Sequence, residues 1–268
     1  MDFIEILGYL GALLVGLILG LIGGGGSILT VPILVYFTGL TPIVATAYSL
    51  FVVGITSVFG AIQNYRNGLV DLKTAIIFAI PAFIVVYLTR RYLVTMIPDV
   101  VFTFDEFKIT NSIFIMSFFA IAMLLASYSM IKSKKIVAKF KPKPIIYNYP
   151  LIALQGTIIG VFAGLVGAGG GFLITPALVL LAKLPMKKAI GTSLCVIAVN
   201  SLFGFIGDLS NISIDWGFLL SFTSLSILGI MTGVYISKFI SGKKLKKGFG
   251  YFILIMGIYI IYRELFNS

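Results

Sequence analysis

The chain has 268 residues, of which 59% are hydrophobic and only 11% charged, with a net charge of +11, no histidine and a single cysteine, Cys195. That composition excludes His-based catalysis, His-ligated metal sites and an intrachain disulfide. The charges sit in short clusters between apolar stretches of about 20 residues, the length that crosses a bilayer core, so the chain reads as a polytopic membrane protein and its basic excess as membrane orientation, not nucleic-acid binding.

In chain order, Phe3–Ile22 is a first apolar stretch. The acidic N-terminus, Met1-Asp2-Phe3-Ile4-Glu5, and the lack of a small-residue cleavage site predict a retained membrane segment, not a signal peptide. Gly23-Gly24-Gly25-Gly26-Ser27 then interrupts what would otherwise be one helix, and Ser27–Gly39 is a short apolar piece. Full spans are predicted over roughly 43–65, 72–93 and 109–131. Met96–Lys108, with Asp99, Asp105 and Glu106, is the longest outer loop and takes no role. Lys132–Pro150 (KSKKIVAKFKPKPIIYNYP) is basic and proline-rich, a solvated cytoplasmic linker that orients and tethers the halves, with resting on anionic lipid as the alternative. Tyr149–Val166 repeats the first stretch, Gly167-Ala168-Gly169-Gly170-Gly171 repeats the interruption, and Phe172–Ala182 repeats the short piece. Spans follow over roughly 189–207, 216–237 and 249–266. The short pieces cannot span and suit re-entrant or half-helix segments.

The two series are copies. At a fixed offset of 144 residues, Gly16–Asp71 matches Gly160–Asp215 at 21 of 56 positions, including Gly20/Gly164, Gly23/Gly167, Pro32/Pro176, Ser49/Ser193, Ser57/Ser201, Asn67/Asn211 and Asp71/Asp215. Shared hydrophobicity does not align Gly, Pro, Ser, Asn and Asp. The expected organisation is therefore a membrane repeat over 1–131, a linker over 132–148 and a second repeat over 149–268.

Charge sets the expected orientation. If each glycine hairpin returns to its own side, three further crossings per half force the halves into opposite orientations. The inner loops then hold 16 of the 20 basic residues and one acid, Asp71, while the outer side holds Arg90, Arg91, Lys108, Arg263 and eight of the nine acids. This predicts an all-α, inverted-repeat protein of the cell membrane with both termini outside. The Arg90-Arg91 pair runs against the trend.

The glycine breaks are the candidate site. Glycine lets a helix stop and restart and lets backbone N–H groups approach a ligand. In hydrocarbon such a break is tolerated only where the freed groups face protein or a cavity, and matched breaks in two halves point to a transporter's substrate site. The short helix after each break begins with unpartnered N–H groups and the positive end of its dipole, a natural anion site. No Lys, Arg, Asp or Glu lies well inside a predicted span, whereas a dehydrated cation calls for carboxylates or carbonyl rings. Donors come from the peptide and from hydroxyls of Ser27, Thr30, Thr46, Ser49, Thr175, Thr192 and Ser193. The candidate substrate-binding residues are Gly23, Gly24, Gly25, Gly26, Ser27, Ser49, Gly167, Gly169, Gly170, Gly171, Thr192, Ser193 and, as the most polar mid-span residue, Asn200.

Blander readings stand beside these. Gly16/Gly20, Gly160/Gly164 and Gly229/Gly233 have the spacing of close helix packing. The Ser and Thr hydroxyls near positions 46–49 and 192–193 either complete the site or bond back to their own helix. Asp71 and Asp215 read as helix caps, and Asp208 is the one acid near a span's end that is a coupling candidate. Lys183, Lys187 and Lys188 either gather anions or simply mark the inner side. Neither glycine run completes a nucleotide-binding motif.

The blocks GLIGGGGSILTVPIL and GLVGAGGGFLITPAL, followed by ATAYSL and AIGTSL, resemble the TauE/SafE family of sulfite and organosulfonate exporters over nearly the whole chain. The resemblance implies a plasma-membrane exporter of sulfur-containing anions such as sulfite or sulfoacetate. Tyr48, where the second copy has Thr192, implies unequal half-sites. The expected mechanism is alternating access at a midplane anion site between the breaks, with a small anion and membrane lipid as partners, no nucleic acid, and no cofactor, metal or catalytic residue. An anion channel, or a non-transporting scaffold whose glycines serve packing, are the alternatives. Substrate identity, coupling and oligomeric state, a homo-oligomer included, are open at this level.

Overall fold

The computed structural model describes residues 3–94, 96, 98, 100–104, 107–132, 149–167, 169–180, 182, 184–240 and 242–266. Most of the predicted linker, together with Asp99, Asp105, Glu106, Ala168 and Lys183, lies outside the described residues.

The first half runs through α1 (Phe3–Ile22), a tight 3-10 turn (Gly24–Gly26), α2 (Ser27–Tyr36), α3 (Pro42–Arg66) and α4 (Leu72–Leu88). Helix α4 widens into a π turn over Thr89–Leu93, and α5 (Asn111–Ile131) closes the half. The second half comprises α6 (Tyr149–Val166), α7 (Gly171–Leu180), α8 (Met186–Asp208), α9 (Trp216–Ile236) and α10 (Gly242–Phe266). Among the described residues four helices, α3, α4 with its π turn, α8 and α9, are long and apolar enough to cross a membrane. The helical architecture follows the hydrophobic pattern closely. One feature is added in the predicted outer loop: β1 (Val100–Phe104) pairs antiparallel with β2 (Phe107–Thr110) in a short hairpin.

Local chemistry fixes the helix ends. Proline 42 opens α3 at a position whose N–H needs no partner. Asp71 and Asp215 cap α4 and α9 through their Oδ1 atoms, which accept from Thr74 N at 3.0 Å and Phe218 N at 3.1 Å. The cap reading of this aspartate pair therefore holds in both halves.

Packing repeats across the halves. Helix α1 lies on α9 as α6 lies on α4, α2 lies on α3 as α7 lies on α8, and α3 crosses α9 as α8 crosses α4. Three pairs join equivalent helices directly, α3 with α8, α5 with α10 and, more lightly, α2 with α7. The α3/α8 pair runs antiparallel: Gly204 faces Leu50, Gly54 faces Leu202, Gly60 faces Leu194 and Gly191 faces Asn64. Two backbone donors tie the halves at opposite ends of this pair. Asp71 N donates to Thr192 Oγ1 at 2.9 Å, and Asp215 N donates to Tyr48 Oη at 2.6 Å. Tyr48 and Thr192 hold equivalent positions and, despite their different shapes, do the same job.

The residue distribution is that of a membrane bundle. Ile76, Ile80, Ile84 and Leu88 form an exposed apolar stripe along α4, and Leu220, Leu228, Met231 and Tyr235 do the same on α9. Polar side chains are buried instead, among them Thr30, Ser49, Thr56, Ser57, Asn200 and Ser201. This inversion suits a hydrocarbon surround.

Glycine makes the α1/α9 contact. A Cβ on Gly16 would lie 1.9 Å from the Ser226 carbonyl oxygen, and one on Gly20 would lie 2.5 Å from that of Ile230. Rigid backbone cannot yield as a side-chain tip can. Gly16→Ala is therefore expected to destabilise the protein by about 2–3 kcal/mol, as an overpacked contact does. Gly248 in α10 has open space around it, so Gly248→Ala should stabilise by up to about 1 kcal/mol through helix propensity. Thermal unfolding of the two variants in detergent checks the pair.

Candidate functional site

The two glycine breaks meet. A Cβ on Gly24 would fall 1.9 Å from the Gly171 carbonyl oxygen and 2.3 Å from its Cα, while one on Gly171 would fall 2.5 Å from Gly24 Cα. The chain segments touch main chain to main chain, with no room for a side chain at either position. The short helices α2 and α7, which start at Ser27 and Gly171, also touch.

The breaks themselves need glycine for a second reason. Gly23 has φ 76°, and Gly167, Gly169 and Gly170 have φ 68°, 62° and 67°. These are left-handed conformations that cost an L-residue roughly 1–2 kcal/mol each. The first break is compact: Gly26 N donates to Gly23 O at 3.3 Å, and Ser27 Oγ donates to Gly24 O at 2.7 Å. The second uses three left-handed residues, after which Leu173 N and Ile174 N both donate to Gly170 O.

Around the crossing sit buried hydroxyls and an amide. A Cβ on Gly169 would lie 2.1 Å from Ser201 Oγ, and one on Gly23 would lie 3.0 Å from Ser193 Oγ, so both breaks lean on α8. Ile197 reaches both Gly169 and Gly171. The hydroxyls then divide into two groups. Ser193 Oγ donates to Ile190 O at 2.8 Å and accepts from Thr175 Oγ1 at 2.9 Å, and Thr192 is committed to Asp71. Thr30, Ser49, Thr56, Ser57 and Ser201, by contrast, are buried with hydroxyl oxygens that have no partner among the described residues. Asn200 is fully buried, and neither its Nδ2 nor its Oδ1 has one. Leaving such groups unpaired costs about 1–3 kcal/mol each in a dry interior. The 144-residue offset pairs Thr56 with Asn200 and Ser57 with Ser201, so each half contributes the same two positions. Among the described residues no Asp, Glu, His and Cys group gathers that would hold a metal.

The structure also places charge where the sequence reading put none. Arg90, read from sequence as an outer residue, is fully buried in the π turn and paired with Asp208 at the end of α8. Its Nε donates to Asp208 Oδ2 at 2.7 Å, and Nη2 lies 2.5 Å from the same oxygen. Nη1 donates to Thr46 Oγ1 at 3.1 Å and to Gly164 O at 3.2 Å, and Nη2 donates to Thr46 Oγ1 at 3.1 Å. One guanidinium thus joins α4, α8, α3 and α6. Among the described residues only Arg90 and Asp208 are both charged and buried. The available signal was the single anomaly in the charge split, the Arg90-Arg91 pair. Arg91 is also engaged there, donating to Ser210 Oγ.

Comparison with known proteins points to membrane transport. A family model described as Sulfite exporter TauE/SafE matches residues 8–260. A probable membrane transporter protein of Xylella fastidiosa (strain Temecula1 / ATCC 700964) is 27% identical over 255 residues, covering 94% of this chain and 92% of its own. The probable membrane transporter protein YunE of Bacillus subtilis (strain 168) is 28% identical over 274 residues, with 95% and 96% covered. A third relative, the probable membrane transporter protein MJ0441 of Methanocaldococcus jannaschii, is 32% identical over 117 residues, 41% of this chain and 44% of its own. No solved structure matches the chain.

The unpaired amide gives a stability test of the interior. Replacing Asn200 with leucine removes two unpartnered polar atoms and keeps the branching pattern, so the ligand-free protein should gain about 1–3 kcal/mol where the interior takes the two methyls. Gly24→Ala should lose stability by forcing Gly171 away. Unfolding midpoints of the two purified variants, compared with wild type, read both signs.

Proposed function

The chain belongs to the sulfite exporter TauE/SafE family of membrane transporters, and we propose that it exports small sulfur-containing anions, sulfite or organosulfonates, by alternating access. The observation that carries this reading is the meeting of Gly24 and Gly171 beside buried hydroxyls and the Asn200 amide that lack partners among the described residues. Gly23 to Gly26, Ser27, Ser49, Gly167, Gly169, Gly170, Gly171, Ser193 and Asn200 surround the anion in this proposal, and Thr192 holds the halves together from a step further out.

Three observations support a midplane site. Ile197, which packs against Gly169 and Gly171 where the second break meets the first, is the middle residue of α8, which runs from Met186 to Asp208 and is about 34 Å long at 1.5 Å per residue. The polar side chains beside the breaks, Ser201 at Gly169 and Ser193 at Gly23, are uncharged hydroxyls, which suits an anion more than a dehydrated cation. Helices α2 and α7 both begin there, presenting the positive ends of their dipoles.

An inverted repeat is the architecture we infer for the two halves. The antiparallel course of the equivalent helices α3 and α8 supports it, because two copies related by a turn about an in-plane axis meet in opposite directions. In the same reading α1–α2 and α6–α7 are re-entrant hairpins and both termini lie outside. The end of the bundle carrying exposed Arg66, Lys187, Lys188, Lys238 and Lys247 is then cytoplasmic. Arg90 lies at the opposite, outer end.

Ligand-induced stabilisation tests the assignment. Purified protein should be stabilised saturably by sulfite or sulfoacetate in a panel with sulfate, thiosulfate, taurine, phosphate and chloride. A hundredfold excess over the dissociation constant corresponds to about 2.7 kcal/mol of added stability. Stabilisation by a cation with no anion response would contradict the anion assignment.

A further inference from the structure

The Arg90–Asp208 pair has no counterpart in the other half. At the 144-residue offset, Arg90 corresponds to Val234, Asp208 to Asn64 and Thr46 to Ile190. The corresponding corner is packed by apolar side chains and by close backbone contact: a Cβ on Gly20 would lie 2.6 Å from Val234 N. Asn64 there turns back on its own helix, donating from Nδ2 to Gly60 O at 2.8 Å. One copy of this corner therefore closes without any charge. Buried ion pairs add little net stability over apolar packing of similar volume, so stability does not account for the charge in the other copy.

Location points to a reason. The guanidinium holds the Gly164 carbonyl, three residues before the second break, and the Thr46 hydroxyl. Thr46 is also the residue against which Gly167 packs: a Cβ on Gly167 would lie 2.3 Å from Thr46 Cβ. Asp208 is 11 residues beyond Ile197 on α8, about 16 Å along the helix from the crossing. Arg90 thus stands at one end of the interior and is bonded to the lip of the glycine break. It also sits in a π turn, with Val94 N donating to Thr89 O at 2.9 Å, a distortion common at functional sites.

The chemistry of the pair is that of an occupied oxyanion site. A guanidinium edge of Nε and Nη2 matches two oxygens of a carboxylate, sulfonate or sulfite. Here both donors converge on the single Oδ2 of Asp208. We propose that Asp208 is a built-in competitor, and that the transported oxyanion takes its place on Arg90 when this end of the protein opens. The step is an exchange of ion pairs, with no covalent change. It makes Arg90 a second anion-binding residue on the path, and it makes opening of this end depend on an anion being present. The inference rests on the anion-transport reading, which it deepens.

Two variants of the full chain test it, each titrated with sulfite, sulfoacetate, nitrate and chloride while thermal stability is followed. Asp208→Asn removes the competitor and keeps the shape that Asn64 has in the other half. It should unfold earlier than wild type without anion, recover on adding sulfite, and lower the half-saturating concentration by about tenfold. Arg90→Gln with Asp208→Asn removes both charges and leaves no lone buried ion. It should fold and raise the half-saturating concentration by about tenfold or more. Unchanged half-saturation in both variants, or an Asp208→Asn protein that no anion recovers, overturns the proposal. A wild-type response to nitrate or chloride but not to the sulfur oxyanions, with both variants shifting as stated, keeps the Arg90 site and removes the sulfur assignment. A wild-type protein that no anion stabilises overturns both.

Discussion

The whole bundle depends on one contact, the main-chain meeting of Gly24 and Gly171. Neither position tolerates a side chain, so the two interrupted helices approach as closely as polypeptide allows. Each interruption frees backbone groups that hydrocarbon cannot satisfy, and the only permissible place for them is inside protein. The surrounding helices are arranged to provide that inside. Helices α3 and α8 cross antiparallel around the breaks, α1 and α6 carry the chain to them, and α9 and α4 pack in turn against α1 and α6. Exposed isoleucines on α4 and buried threonine, serine and asparagine on α3 and α8 are two sides of one constraint.

That contact joins two reasons for glycine which sequence alone leaves as rivals. Close packing and ligand approach both call for a missing Cβ. At Gly16 and Gly20 the structure gives packing alone, against the backbone of α9. At Gly169 and Gly23 the nearest groups are the hydroxyls of Ser201 and Ser193, so the missing Cβ opens onto polar chemistry. Within the first half the same residue type does different work only three and seven residues apart, at Gly20 and Gly16 against Gly23.

How much was legible follows from this. Helix extents were readable because hydrophobic runs, glycine breaks and the Asp71 and Asp215 caps all mark them; α1 and α6 keep the bounds the pattern gives, while α10 starts earlier, at Gly242, because its first turn is lysine-rich and hides from a hydropathy reading. The β-hairpin at 100–110 was not legible, since its short runs border acidic residues and look like any polar loop. Hydroxyl roles were half legible. Ser193 bonds back to its helix and Thr192 ties the halves, whereas Ser49, Ser201 and Asn200 stay unpartnered, a division set by three-dimensional neighbours that spacing does not encode. The Arg90–Asp208 pair escaped because its partners are 118 residues apart and belong to different halves.

Alternating access is the central claim, and counterflow tests it most directly. Proteoliposomes preloaded with unlabelled sulfite are diluted into a trace of labelled sulfite, and internal label is followed over time. A carrier that shuttles one site between two sides accumulates label transiently above equilibrium, and only when the vesicles are preloaded. The account predicts that overshoot. Simple equilibration without an overshoot would contradict alternating access and favour a channel, and no protein-dependent uptake would leave the glycine crossing as packing alone.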